Sequence, residues 1–374
     1  MNQTAVAVYA LFFANGVGWA SWASRLPALT DKLGLSEGSL GLALFGATIG
    51  LFVAATSTAF LVLRFGSRLV TVLAGFAMCL VLPLIGLAPS AVAFAAALVA
   101  YGLSNGSFDL ASNARAVVVE RAAGRAMMSG FHALFSAGAI VGAASAALLA
   151  AADVPIEVHL SALGVLLGLV VLVAGRALGD GELGREATGP ALAWPGRALL
   201  GVAALAFCVL LAEGAVFDWS AVYLSTVAGA TPAVAAMGLA VFQSAMMVGR
   251  LAGDRAADRV GAATLVRTGA VVGGIGFAGA LLFPGVPTVL VGYFLLGLGI
   301  AASFPLAMSA AARNPRIATS IALGATTASG YTGFVLGPPL IGFVAEGTNL
   351  QIGLAVVVVC LVAAAALAPA LRRG

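Results

Sequence analysis

Three carboxylates, Asp109, Glu213 and Asp218, stand inside long apolar runs of a 374-residue chain in which 62% of residues are hydrophobic and 9% charged. A charged side chain in hydrocarbon costs about 3 kcal/mol on insertion scales, so each needs a partner, a hydrated cavity or a proton. Such a group can bind and release a proton as its surroundings change, which is the chemistry of proton coupling. Each also has a structural reading: Glu213 as a hydrogen-bonding group between helices, Asp109 as a fixed partner of Arg115 or of a helix end, Asp218 as a carboxylate in a wet vestibule. His132 could relay protons, or serve only as a hydrogen-bonding side chain near an interface.

Side chains suited to binding a solute lie at similar depths. Trp19 and Trp22 in the first apolar run, and Trp219 with Tyr223 in the seventh, offer flat faces on which a sugar ring or another amphipathic solute can stack. Trp22 and Tyr223 could instead belong to an interfacial aromatic belt, a position for which Trp19 is too deep. Asn15, Asn105, Asn113, Gln243, Thr327 and Tyr331 fall near mid-membrane, where they could orient a polar solute or join helices together. Arg25 could capture an anionic group or extend to the interface. Gly102-Leu103-Ser104-Asn105-Gly106 matches a hydrolase nucleophile pattern, but a strand-to-helix elbow is required for that chemistry and this run is helical.

The elements that carry these residues follow from composition. So much apolar surface cannot be hidden in a soluble fold of this length, and about 20 apolar residues cross a bilayer. Breaks divide the chain into runs near 5–28, 38–62, 69–88, 91–116, 127–151 and 157–176, then 198–226, 232–252, 262–283, 287–311, 318–344 and 350–370. None alternates with period two, so the expectation is an all-α membrane protein of twelve transmembrane helices. Starting inside, this map puts Arg64, Arg68, Arg115, Arg121, Arg125, Arg176, Arg185, Arg197, Arg250, Arg255, Arg259, Arg267, Arg313, Arg316, Arg372 and Arg373 on the cytoplasmic side and only Arg25 and Lys32 outside. Losing one span would invert every later loop, so the asymmetry supports twelve crossings of a bacterial inner membrane with both termini cytoplasmic.

The polar stretch 179–196 reads as a cytoplasmic linker between an N-terminal six-helix bundle, 1–178, and a C-terminal one, 197–374. A shift of about 195 residues lays one half on the other: Asn15-Gly16 on Glu213-Gly214, Gly41-Leu42-Ala43 on Gly238-Leu239-Ala240, Phe65-Gly66 near Val260-Gly261, and Gly138 with Gly142 on Gly333 with Gly337. These glycine pairs, with Gly46 and Gly50, permit close helix approach, and Pro338-Pro339 should bend or break the eleventh helix.

The stretch Gly249-Arg250-Leu251-Ala252-Gly253-Asp254-Arg255-Ala256-Ala257-Asp258-Arg259-Val260-Gly261 resembles the loop signature of the major facilitator superfamily, a glycine-rich helix end followed by Asp-Arg-x-Gly. The resemblance implies two pseudo-symmetric bundles that rock about a central cavity, with Asp258 and Arg259 latching helix ends. The first half keeps Arg64-Phe65-Gly66-Ser67-Arg68 with Leu63 where the matching Asp would stand, so Arg64 and Arg68 would form a different latch. A closer likeness is to the fucose-permease-like sugar transporters and a bacterial inner-membrane branch near them. It is carried by Ala20-Ser21-Trp22-Ala23-Ser24-Arg25-Leu26-Pro27, Ala212-Glu213-Gly214 with Asp218-Trp219, and Val335-Leu336-Gly337-Pro338-Pro339. Asp109-Leu110-Ala111-Ser112-Asn113 is similar to an acid-x-x-x-Asn segment that those transporters use in proton coupling, whereas the acid of their first helix has no counterpart here.

The expected function is secondary transport of a small solute by alternating access, coupled to protons, with a sugar-like substrate. Proton-antiport efflux of an amphipathic compound and a non-transporting membrane sensor are the rivals. An enzyme is disfavoured because no paired nucleophile and base, H-E-x-x-H or Cys/His metal spacing occurs, and no G-x-x-x-x-G-K-[ST] loop for ATP is present. Cys79, Cys208 and Cys360, each in an apolar run, read as packing residues. The net charge of +4 is scattered in ones and twos, which argues against nucleic acid. The expected partners are the solute, protons and the bilayer, with no cofactor or metal, and the chain is expected to act as a monomer.

Overall fold

The structure, a computed structural model, describes residues 3–123, 127–179, 199–314, 317 and 319–372. Beyond Gly179 the expected linker lies outside the described residues, as do Arg125, Arg185, Arg197, Arg316 and Arg373. The described residues form α1 (Gln3–Ala23), α2 (Leu26–Leu33), α3 (Glu37–Phe65), α4 (Ser67–Leu87), α5 (Ala91–Ala123), α6 (Met128–Ala151) and α7 (Ile156–Ala177). Then come α8 (Leu200–Thr226), α9 (Pro232–Val260), α10 (Ala262–Leu282), α11 (Val286–Ile300), α12 (Ser303–Ala312), α13 (Thr319–Gly347) and α14 (Leu350–Leu367), closed by a 3₁₀ turn at Ala368–Arg372. Twelve segments are long and apolar enough to span a membrane. Leu80, Leu148, Val165, Ile275 and Val359 point outward from the packed helices. Hydrocarbon accepts such side chains as readily as the protein interior does, so the helices need no polar outer stripe.

The chain divides into two compact units: Met1–Leu35, Leu42–Ala187 and Pro232–Ala240 in one, and Ser36–Gly41, Thr188–Thr231 and Val241–Gly374 in the other. Each repeats one packing scheme. In the first, α1 lies along α6 and α7, and α4 lies between α5 and α7. In the second, α8 lies along α13 and α14, and α10 between α11 and α14. Glycine sets the closest approaches: Gly138 of α6 faces the Phe13 carbonyl of α1, and Gly333 of α13 faces the Phe207 carbonyl of α8, leaving no room for a Cβ at either position. The duplication is also metric. α3 and α9 both have 29 residues and α4 and α10 both have 21, each 195 positions apart (37 to 232, 67 to 262). Both helix pairs are joined by a single glycine in left-handed backbone, Gly66 at φ 82° and Gly261 at φ 84°.

Several features differ from the sequence expectation, among them α5 and α9, which run past the expected edges at 116 and 252 to Ala123 and Val260. The first run stops at Ala23, and α2 starts after Ser24-Arg25 with Pro27 in its first turn, where a missing N–H does no harm. The tenth run is two helices, α11 and α12, parted at Ala301-Ala302. Pro338 and Pro339 do not break α13, which continues through both. Neighbouring helices hold the chain on either side of such prolines, and the energy of leaving the helix in lipid exceeds that of two lost backbone bonds.

Candidate functional site

In the first unit, helical spacing builds a facing pair of stripes. Asn15, Trp19 and Trp22 follow i, i+4, i+7 on α1, and Tyr101, Asn105 and Asp109 follow i, i+4, i+8 on α5. The amide nitrogen of Asn15 donates to Oδ1 of Asp109 at 3.3 Å. One turn along, the rings of Trp19 and Trp22 stand edge-on to Tyr101, with centroids 6.0 and 5.5 Å away. Trp22 and Tyr101 are fully buried, which removes Trp22 from any interfacial belt. Trp19 and Asp109 are half-buried and so retain an open face. Asn105 is buried, and its side-chain oxygen bonds to no protein group. Asn113 turns back to donate to the Asp109 main-chain carbonyl at 3.0 Å. Arg115, the alternative partner for Asp109, instead reaches the Gly179 carbonyl at 2.7 Å.

In the second unit, Glu213 on α8 meets Arg250 on α9, Oε1 to Nη2, at 3.1 Å. The Glu213 side chain is 13% exposed and that of Arg250 30%. The sequence map places Arg250 at the cytoplasmic end of the eighth run; in the structure it is part of α9, in the last turn of the candidate span Pro232–Gly253, and α9 runs on to Val260. Asp218, five residues beyond Glu213, is buried and makes no ion pair among the described residues. Gln243 precedes Arg250 by two turns on the same face of α9 and is fully buried; neither end of its amide bonds to a protein group. Trp219 is fully buried. Tyr223, a belt candidate, is also buried and donates to the Ala280 carbonyl at 3.0 Å. Thr327 reaches only the sulfur of Met308, at 3.5 Å, and Tyr331 lies one turn further along α13, half-buried.

The remaining candidates lie apart from these groups. His132 sits edge-on to Phe12, with ring centroids 5.3 Å apart. Arg25 donates to the Val154 carbonyl at 2.8 Å, while Lys32 donates to the Gly86 carbonyl at 2.7 Å and pairs with Glu157 at 3.6 Å. Burial pulls the Arg25 guanidinium below its ordinary value, and the charge of Glu157 opposes that pull. These two cations therefore fasten the ends of neighbouring helices. Asp258 and Arg259 are exposed in the last turn of α9 and make no ion pair among the described residues. Arg64 lies over the Phe65 ring at 5.5 Å, and Arg68 is in the first turn of α4. Cys208 on α8 and Cys360 on α14 are buried with free thiols. No cluster suited to a metal occurs among the described residues.

Arg250 is the functional candidate that the sequence reading missed. Its signal was available: Arg250 is the first cation after an apolar run, and no proline or glycine turn intervenes before the helix continues.

Comparison with known proteins matches residues 8–317 to the family model of the Major Facilitator Superfamily. An uncharacterised MFS-type transporter of Yersinia pestis is 37% identical over 97% of this chain and 94% of that one. Among solved structures, the nucleoside transporter NupG superposes with a TM-score of 0.74 at 15% identity, covering 100% of this chain and 98% of that one. A bacterial homologue of the human lysosomal transporter Spinster superposes at 0.77 with 16% identity, covering 98% and 96%. At these identities the two structures establish the fold alone.

Proposed function

Since the chain belongs to the major facilitator superfamily and is a multi-pass membrane transporter, not an enzyme, we propose that it moves a small polar solute by proton-coupled alternating access. The Glu213–Arg250 ion pair carries this reading. An ion pair at this depth is expensive to bury and contributes little to net stability, so a switching role accounts for it better than a structural one. Protonation of Glu213 breaks this contact and lets the Arg250 guanidinium turn toward a solute oxygen or water. Asp109 is the second proton-carrying carboxylate; among the described residues its side-chain partner is the neutral Asn15 amide, so it can gain or lose a proton without breaking an ion pair.

The solute is proposed to be neutral and hydroxyl-rich, a sugar or a nucleoside-like ring. The half-buried Trp19 face beside Tyr101 supports a flat ring, and the unbonded side-chain oxygen of Asn105 and amide of Gln243 support hydroxyl or carbonyl recognition. Asp258, Arg259, Arg64 and Arg68 are proposed to gate the cytoplasmic helix ends, both termini facing the cytoplasm across the inner membrane. Flux in proteoliposomes under an imposed pH gradient tests this function. Glu213→Gln should abolish gradient-driven accumulation of a transported sugar or nucleoside while leaving exchange partly intact. Unchanged pH-dependent uptake in that variant would reject the coupling role.

A further inference from the structure

Where α9, α10 and α11 converge in the second unit, a cavity of about 200 Å³ opens. Its wall is mostly glycine and alanine, notably Gly249, Ala252, Gly253 and Ala256 on α9, Gly269 on α10 and Gly299 on α11. Short side chains on all three helices leave a slot that no described side chain fills. Leu265, Val266 and Leu298 also line it, and the exposed Leu298 is a group that hydrocarbon accepts and water expels. The slot lies at the ends of α9 and α11 and the beginning of α10, the level that the arginine distribution assigns to the cytoplasmic headgroups.

The rim carries charge. Arg255 and Arg259 follow Ala252 and Ala256 by i+3 on α9, and both are exposed; Arg267, exposed on α10, turns instead to α14, where it donates to the Ala365 carbonyl at 3.3 Å. One carboxylate, Asp258, stands among these described side chains. An apolar slot open to hydrocarbon below a cluster of guanidinium groups matches the two ends of one molecule, an acyl chain and a phosphate. We infer that this slot binds an anionic phospholipid, with one acyl chain between α9, α10 and α11 and the headgroup phosphate on Arg255 and Arg259. The inference is independent of what the transporter carries, since neither Glu213, Asp109 nor the aromatic stripe takes part.

The test uses the full chain purified in a neutral detergent, with native mass spectrometry counting bound lipid and apparent melting temperature as a second readout. Phosphatidylglycerol and phosphatidylcholine of identical acyl chains are compared, with inorganic phosphate as the control. Phosphatidylglycerol should bind in preference and raise the melting temperature, and inorganic phosphate should do neither. Arg255→Gln with Arg259→Gln should lower the preference about fivefold per arginine removed. Ala256→Leu, which fills the slot, should abolish the preferential binding; Ala252→Val is the gentler variant if that protein does not fold. Equal binding of the two lipids, a preference that survives both the rim and slot variants, or an equal shift with inorganic phosphate would overturn the assignment.

Discussion

Replacing Glu213 by Gln removes one member of an ion pair and leaves Arg250 without its carboxylate. At 3.1 Å the direct attraction is about 5 kcal/mol for an effective dielectric of about 20, before the cost of desolvating both groups is subtracted. Breaking a fully buried pair from one side typically destabilises by about 3–5 kcal/mol. Here the guanidinium is 30% exposed and the carboxylate 13%, so solvent screens part of the loss and about 2–3 kcal/mol is expected for Glu213→Gln. Arg250→Gln should be comparable, because it strands the more buried partner. The double variant leaves two neutral amides able to bond to each other, and it should lose less than the two single losses together, with a coupling energy of about 2 kcal/mol. Apparent stability of the four proteins in one detergent, measured by intrinsic tryptophan fluorescence on heating, closes the cycle. If the double variant loses the sum of the two single losses, the two side chains are energetically independent, and the reasoning that makes Arg250 the counter-charge of Glu213 fails.

Glycine substitutions separate close packing from mere small size. Gly333→Ala places a Cβ against the Phe207 carbonyl and should cost upwards of about 2 kcal/mol, whereas Gly337→Ala, whose nearest neighbour is the Leu211 side chain at 3.7 Å, should be neutral or stabilise by up to about 1 kcal/mol; the monodisperse fraction after purification reads both. Gly261→Ala meets no atom within 4 Å, so its expected loss of about 1–3 kcal/mol is purely conformational, read in the same melting assay. Asp109→Asn keeps a hydrogen-bonding partner for Asn15 and should fold normally, with accumulation along a pH gradient weakened but retained through Glu213, as read by the same proteoliposome flux assay.

Much of the architecture was legible because lipid imposes one strong rule, that a spanning segment must bond its own backbone. The twelve spans follow from that rule. The duplication was visible in Phe65-Gly66 and Val260-Gly261, since left-handed backbone selects glycine at both helix junctions. What hydropathy could not convey is where a helix continues after leaving the apolar stretch. α9 extends eight residues past the expected edge at 252, because Arg250, Arg255 and Arg259 are good helix formers that simply carry no hydropathic signal. Nor could hydropathy convey that Arg250, at the end of the eighth run, meets Glu213 on a neighbouring helix, since that pairing is set by tertiary packing. The break at Ala301-Ala302 left no mark either, as alanine favours helix and the interruption depends on tertiary packing.

The two proposed proton carriers differ in what protonation disrupts, and this sets the order in which they can act. Protonating Asp109 costs no ion pair, because its partner is the uncharged Asn15 amide, whose nitrogen can go on donating to the carboxyl carbonyl. Protonating Glu213 dissolves a charged contact at 3.1 Å. Asp109 can therefore load without disturbing an ion pair, whereas loading Glu213 requires that its contact with Arg250 break. On the proposed mechanism, coupling resides in that second requirement. An Arg250→Gln variant that still accumulates solute along a pH gradient would remove the requirement and, with it, the reason for treating the ion pair as the coupling element.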